Sequence, residues 1–158
     1  MSAITLTAEL SRLADLIAFV RQAARSAGFI PDRIREIELA TEEALVNIFQ
    51  YAYPDVMGKV RIDCRMVNDS RLAVAIADYG IPFNSLDFPD PDVGAGLEDR
   101  HTGGLGVFLM KKLTDDRQYR REGNQNILTL VFDKSGSGKD RIKDAAQSEP
   151  FDRSESWP

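Results

Sequence analysis

Three places in the chain combine side chains able to do chemistry at spacings that bring them together. The first is Glu42-Glu43-Ala44-Leu45-Val46-Asn47. In a helix turning about 100° per residue, Glu43 and Asn47 stand one turn apart and project together. A carboxylate and an amide so placed can act on one ligand. The amide oxygen suits a hard cation, and the carboxylate can serve as a base or hold a water. The same periodicity puts Glu42 inside the apolar arc, where it could pair with a buried arginine or cap a neighbouring element. Pattern alone does not choose between the two glutamates. The second place is Asp78-Tyr79-Gly80-Ile81-Pro82-Phe83-Asn84. An acid at a strand end, followed by glycine, can offer its carboxylate to the amino group of a base while the backbone turns away. The third is Gly103-Gly104-Leu105-Gly106. Glycines at a helix start let backbone N–H groups approach an anion at the helix's positive end. Each has a plain alternative: a solvated helix face, an Asp-x-Gly turn and an ordinary glycine-rich helix start.

The elements that must hold these groups can be read from periodicity. Residues 3–8 alternate weakly, as a first strand. Leu10, Leu13, Ala14, Ile17, Val20 and Ala24 recur at helical spacing over 9–27, and Gly28 ends that helix. Pro31 stands at a helix start, and a second helix is expected from about 32 to 52. Its apolar residues form two flanks: Ile34, Ile37, Leu45 and Ile48 on one side, Leu39, Val46 and Phe49 on the other. Strands are expected at 59–67 and 71–78, joined by Asn68-Asp69-Ser70. Leu72 to Ala77 is apolar on both faces, which predicts a central strand. Residues 79–102 are irregular and rich in proline and acid, as expected of a functional lid. A helix at 104–113 and strands at about 116–121 and 126–133 follow, with Gly123-Asn124 as the last turn. Hairpins dominate. The expected fold class is α+β: a two-layer α/β sandwich with a mixed, mainly antiparallel sheet and helices on one face.

Composition narrows the function. The chain has 158 residues, with 20 Lys and Arg against 25 Asp and Glu, a net charge of −5. An acidic chain without a basic stripe is a poor binder of nucleic acid. No apolar run approaches the roughly 18–20 residues that span a bilayer, and the opening residues do not read as a secretory signal. One cysteine, Cys64, reads as a half-buried strand residue in a reducing, cytoplasmic protein. With one His and one Cys, the usual zinc ligands are lacking. Residues 134–158 carry five basic and five acidic residues and open with Ser135-Gly136-Ser137-Gly138. That composition predicts a disordered tail behind a domain at 1–133, and the whole net charge then belongs to the domain.

In this order, the three groups resemble the GHKL superfamily of ATP-binding domains: gyrase, heat-shock chaperone, histidine kinase and mismatch-repair ATPases. Their short form is similar to the bacterial anti-sigma-factor serine/threonine kinases. Glu42 to Asn47, followed by Tyr51-Ala52-Tyr53, matches the N-box. Asp78 to Phe83 matches the first glycine box, and Gly103 to Leu109 the second. The stretch Tyr119 to Leu130 is also like that branch. The likeness spans about 3–133.

The resemblance implies a GHKL, Bergerat-type ATP-binding fold using ATP and Mg2+. It implies Asn47 as the magnesium ligand and Glu43, rather than Glu42, as the base that activates a substrate hydroxyl. Asp78 would bond the adenine amino group beside Gly80, and Gly104, Leu105 and Gly106 would contact phosphate through backbone amides. Thr129 would join the adenine network. Residues 84–102 would be the ATP lid, with Arg100 reaching the γ-phosphate. The implied activity is phosphorylation of a Ser or Thr of a small anti-sigma-factor antagonist, controlling how a sigma factor is held. Dimers are common in the branch, and membranes and nucleic acid are not its partners. Pro82 stands where the broader superfamily has a second glycine, and Tyr51 where the branch often has His. The alternative reading is an ATP-dependent binding module in a partner-switching system that does not phosphorylate. A detached catalytic half of a histidine kinase fits less well, because of the Pro82-Phe83 form of the box and the short lid; His101, in the lid and in no helical hairpin, is not read as a phospho-accepting residue.

Overall fold

The computed structural model describes residues 2–90 and 104–136. The order is β1 (Ser2–Thr7), α1 (Leu13–Ser26), α2 (Pro31–Tyr51), β2 (Lys59–Met66), β3 (Arg71–Asp78), α3 (Gly104–Leu113), β4 (Asp116–Glu122) and β5 (Gln125–Asp133). Short 3-10 turns stand at Leu10–Arg12 and Ser85–Asp87. The first of these replaces the expected opening of the first helix. Leu10 is 67% exposed, so it lies off the stripe that Leu16, Ile17, Val20 and Ala24 bury. Gly28, at a φ of 84°, takes the left-handed conformation that stops α1, and Pro31 opens α2.

The strands form one sheet in the order β1-β2-β3-β5-β4, and β3 is central as its two apolar faces require. Each pairing between these strands is antiparallel, so the sheet is simpler than the mixed one expected. The reason is the last hairpin: β4 runs out to the edge and β5 folds back between β4 and β3. Register sets Asp78 opposite Asn126 and Ala75 opposite Thr129. Side chains alternate between faces. Leu72, Val74 and Ile76 of β3 face the helices with Leu128, Leu130 and Phe132 of β5. Ala73 and Val131 pack together on the other face. Cys64 belongs to the helix-side core and is fully rather than half buried, and that burial pushes its thiol up to about 12.

α2 packs against both α1 and α3. Its two apolar flanks reach the core unequally: one is buried, and of the other Phe49 packs against the core from a partly buried position. Leu39 on the other flank is 38% exposed, and Val46 and Phe49 are half-buried. Glu42 lies on that open flank and is exposed, so its expected burial does not occur.

The core instead admits a charge that periodicity did not flag. Arg33 is buried in the first turn of α2. Its Nε donates to the Asp133 carbonyl at 3.0 Å and Nη1 to the Leu113 carbonyl at 3.0 Å. Its guanidinium also pairs with Glu36 and Asp115 and lies 5.5 Å over the Phe132 ring. Asp115 in turn accepts the Asp133 N–H at 2.8 Å. One cation thus fastens the start of α2 to the end of α3 and the end of β5. The described chain continues past β5 to residue 136, and the Lys134 N–H bonds the Ser70 carbonyl at 2.9 Å. Most of the tail expected at 134–158 lies outside the described residues. Among the described residues, no helix is long and apolar enough to cross a membrane.

Arg33→Ala removes the cation of a buried ionic network and takes one donor each from Asp115, the Leu113 carbonyl and the Asp133 carbonyl. We expect it to cost about 3–5 kcal/mol of folding stability, measured by urea denaturation.

Candidate functional site

The site is built along α2. At one end, Glu43 is half-buried and Asn47 buried, one turn apart as the sequence indicates. The Asn47 amide donates to the Glu43 backbone carbonyl at 2.7 Å. That bond turns the Asn47 carbonyl oxygen away from α2 as the atom able to meet a cation. The Glu43 carboxylate reaches α3: a Cβ built on Gly106 would lie 2.1 Å from its Oε2. Burial raises the Glu43 carboxyl above its ordinary range, and the neighbouring Glu42 charge adds to the rise. Gly104 is the first residue of α3 and is buried, whereas Leu105 is 54% exposed.

At the other end, Asp78 terminates β3 and is buried. Its Oδ1 accepts the Gly80 N–H at 2.9 Å and the Asn126 amide at 2.8 Å. Both bonds land on one oxygen, which leaves Oδ2 for a ligand. Burial raises the Asp78 carboxyl, while Asn126, Gly80 and the Arg121 charge pull it back in part. Gly80 seats this turn on the end of α2. A Cβ there would meet the Ala52 carbonyl oxygen at 2.1 Å, and the Ile81 N–H bonds that same oxygen at 2.9 Å. Tyr53 completes the seat: its hydroxyl donates to the Lys59 carbonyl at 2.6 Å and accepts the Tyr79 N–H at 2.7 Å.

Asn126 is the residue that sequence reasoning passed over. Besides Asp78, its amide donates to the Ile81 carbonyl at 2.8 Å. Its carbonyl oxygen accepts from the Tyr119 hydroxyl at 2.7 Å, Arg121 Nη1 at 2.8 Å and the Phe83 N–H at 3.3 Å. Thr129, expected in this network, is not in it. Three residues further along β5, it alternates onto the face away from the helices, opposite Ala75. An available signal was parity: of the polar residues on that strand, Asn126 shares a face with Leu128, Leu130 and Phe132.

Between the two ends, the rings of Tyr51, Phe83 and Phe88 cluster at centroid distances of 5.4–6.0 Å. Lys111 of α3 donates to the Phe88 carbonyl at 3.0 Å and to Asp90 at 3.1 Å. The first part of the expected lid is therefore fastened to both α2 and α3. Arg100, His101, Gly103 and the remainder of that loop lie outside the described residues. Among the described residues no group of three or more His, Cys, Asp or Glu can hold a metal ion.

Two predictions follow from this geometry. A carboxyl raised by burial contributes its stability below its unfolded pKa and loses it as pH rises through the folded value. Asp78→Asn should therefore gain stability relative to the native chain as pH rises from about 4, then level off. Urea melts across that range check it. Gly80→Ala sets a methyl against backbone rather than a movable side chain, and should cost about 1–3 kcal/mol in the same assay.

Comparison with known proteins agrees with the fold and the motifs. Residues 6–132 match the family model of the histidine kinase-like ATPase domain. The serine-protein kinase RsbW of Bacillus mycoides (strain KBAB4) is 29% identical over 127 residues, spanning 75% of this chain and 79% of the relative. RsbW of Bacillus cereus (strain B4264) is 32% identical over the same length and shares. A solved structure of the RsbU and RsbW domains of a Mycobacterium tuberculosis protein superposes with a TM-score of 0.54 at 15% identity. It covers 83% of this chain, which spans 32% of that longer one, and shows the shared fold. With Glu43 and Asn47 in the second half of α2, the Asp78 turn seated on its C-terminal end and the family model matching nearly the whole described domain, the chain belongs to the histidine kinase-like ATPase family, in the branch of the RsbW serine-protein kinases.

Proposed function

We propose that this chain binds Mg-ATP along α2 and transfers the γ-phosphoryl group to a Ser or Thr of a small antagonist protein, thereby setting how a sigma factor is held. The observation that carries the reading is the two-ended site. Nine residue steps, at about 1.5 Å each, lead from Glu43 along α2 to Ala52, where Gly80 seats the Asp78 turn. That spacing suits a ligand with a polar base at one end and an anionic chain at the other. Asp78 Oδ2 would accept from the adenine amino group. The start of α3 would offer N–H groups to phosphate from Gly104, Leu105 and Gly106.

The residues fit magnesium in a specific way. Asn47 supplies one neutral oxygen, and the described residues hold no acidic cage. A small hard cation bound here would take its other ligands from phosphate and water, the usual manner of magnesium in phosphoryl transfer. When bound, it would neutralise charge on the phosphates. The protein's own part is positioning and proton handling. Glu43 would take the proton of the substrate hydroxyl as its oxygen bonds to phosphorus and the bond to the β-phosphate oxygen breaks, releasing ADP. Its raised carboxyl suits it to accept that proton.

γ-Labelled ATP with the cognate antagonist tests this. Glu43→Ala should lower label transfer by about 10²–10⁴-fold while nucleotide binding persists. Normal ATP binding with no label reaching the antagonist from the native chain would sink the kinase reading. Unchanged signalling by Glu43→Ala would establish the non-phosphorylating module instead.

A further inference from the structure

Gly106 stands in the first turn of α3, where a glycine is ordinarily read as a phosphate contact. Its surroundings give it a second task. A Cβ built on Gly106 would lie 2.1 Å from Oε2 of Glu43, 3.1 Å from Cδ and 3.8 Å from Cγ. The same construction on Gly104 meets only the Pro89 carbonyl oxygen, at 3.9 Å. The two glycines of one motif are therefore not equivalent. Among the described residues, a methyl group at Gly104 meets nothing closer than ordinary contact, and space at Gly106 is filled by the glutamate of the neighbouring helix.

We propose that Gly106 is a positioning residue for Glu43: its bare Cα is the wall against which the carboxylate rests, fixing where that group stands between α2 and α3. The crowding atoms are the far end of a flexible side chain, with no backbone among them. A methyl group at 106 would therefore displace the carboxylate and leave α3 in place. Glu43 cannot yield by shifting its own backbone, because α2 there is buried through Ala44, Leu45 and Asn47 and is tied by the Asn47 bond to the Glu43 carbonyl. An alanine at 106 keeps its N–H, so phosphate contacts made by that N–H survive the change.

The catalytic consequence rests on the kinase reading above, whereas the contact itself does not, and a double-mutant cycle separates the two. Thermal melts of the native chain, Gly106→Ala, Glu43→Ala and the double variant read the contact without any activity. Once Glu43 is truncated, Gly106→Ala puts a better helix former into vacated space and should raise Tm by about 2–4 °C. In the native background the same change should raise Tm by less, or lower it. Equal shifts in both backgrounds overturn the proposal. Phosphotransfer then reads the consequence. Gly106→Ala should lose about 10²-fold in rate with its ATP affinity kept, and should lose nothing further once Glu43 is Ala. Glu43→Asp, one methylene shorter, should restore part of the rate lost by Gly106→Ala. A fall in ATP affinity that matches the fall in rate would return Gly106 to phosphate binding alone and overturn the proposal. If the native chain transfers no phosphate while the melting cycle shows coupling, the kinase reading fails and the contact stands.

Discussion

A carboxylate buried at the end of the central strand is the constraint around which this domain is arranged. Asp78 cannot be stable there without donors, because an unpaired buried charge costs several kcal/mol. It receives one donor from its own turn, through Gly80, and one from Asn126 directly across the sheet. Asn126 then uses its remaining capacity on the Ile81 carbonyl, the Phe83 N–H, the Tyr119 hydroxyl and Arg121. The loop that leaves β3 is thus tied to β4 and β5 by the same side chain that satisfies the acid. Loosening Asn126 would free the acid and the turn after it together, so the fold and the Asp78 end of the candidate site cannot vary separately.

Close approaches to α2 govern both ends of the site. α2 is approached by two glycines, Gly106 near Glu43 and Gly80 at Ala52, and neither leaves room for a methyl group as the neighbours stand. Their consequences differ because what they meet differs. Gly80 meets a carbonyl that cannot move without unwinding the end of the helix. Gly106 meets a carboxylate that can swing. One glycine protects the fold and the other protects the placement of a reactive group, though both appear in the sequence as members of glycine boxes.

That contrast marks how far the sequence was legible. Strand alternation in β2 and the doubly apolar run in β3 are local patterns set by a binary choice of face, so element positions and the central strand followed from them. Helix periodicity was less decisive. It identified Glu43 with Asn47 as neighbours, but it treated both apolar flanks of α2 as core, and so misplaced Glu42. Which flank is covered depends on where α1 and α3 pack, and that is not a property of α2. Thr129 was assigned by resemblance, and face parity along β5 sets it, unlike Asn126, on the side of the sheet away from the helices. Arg33 was invisible for a different reason. A lone arginine in a first helical turn looks like surface, and the partners that bury it, Asp115, Leu113 and Asp133, lie 80 or more residues away.

The net charge of −5 acquires a physical meaning from the same partners. A domain that holds a triphosphate might be expected to spend its cations on phosphate. Here many of them are committed to carboxylates elsewhere: Arg33 with Asp115 and Glu36, Arg71 with Asp133, Arg61 with Asp63, Arg21 with Glu38 and Lys111 with Asp90. These pairs fasten helices, strand ends and the start of the loop. Around the start of α3, the polar groups that the described residues offer are backbone N–H groups and the oxygens of Asn47 and Glu43. On the proposed reading such a cradle would bind an anionic chain together with a cation, because Glu43 and phosphate repel one another in partial burial. The acidity that argues against nucleic acid is thus compatible with a nucleotide, and would make the bare triphosphate a weaker ligand than its metal complex.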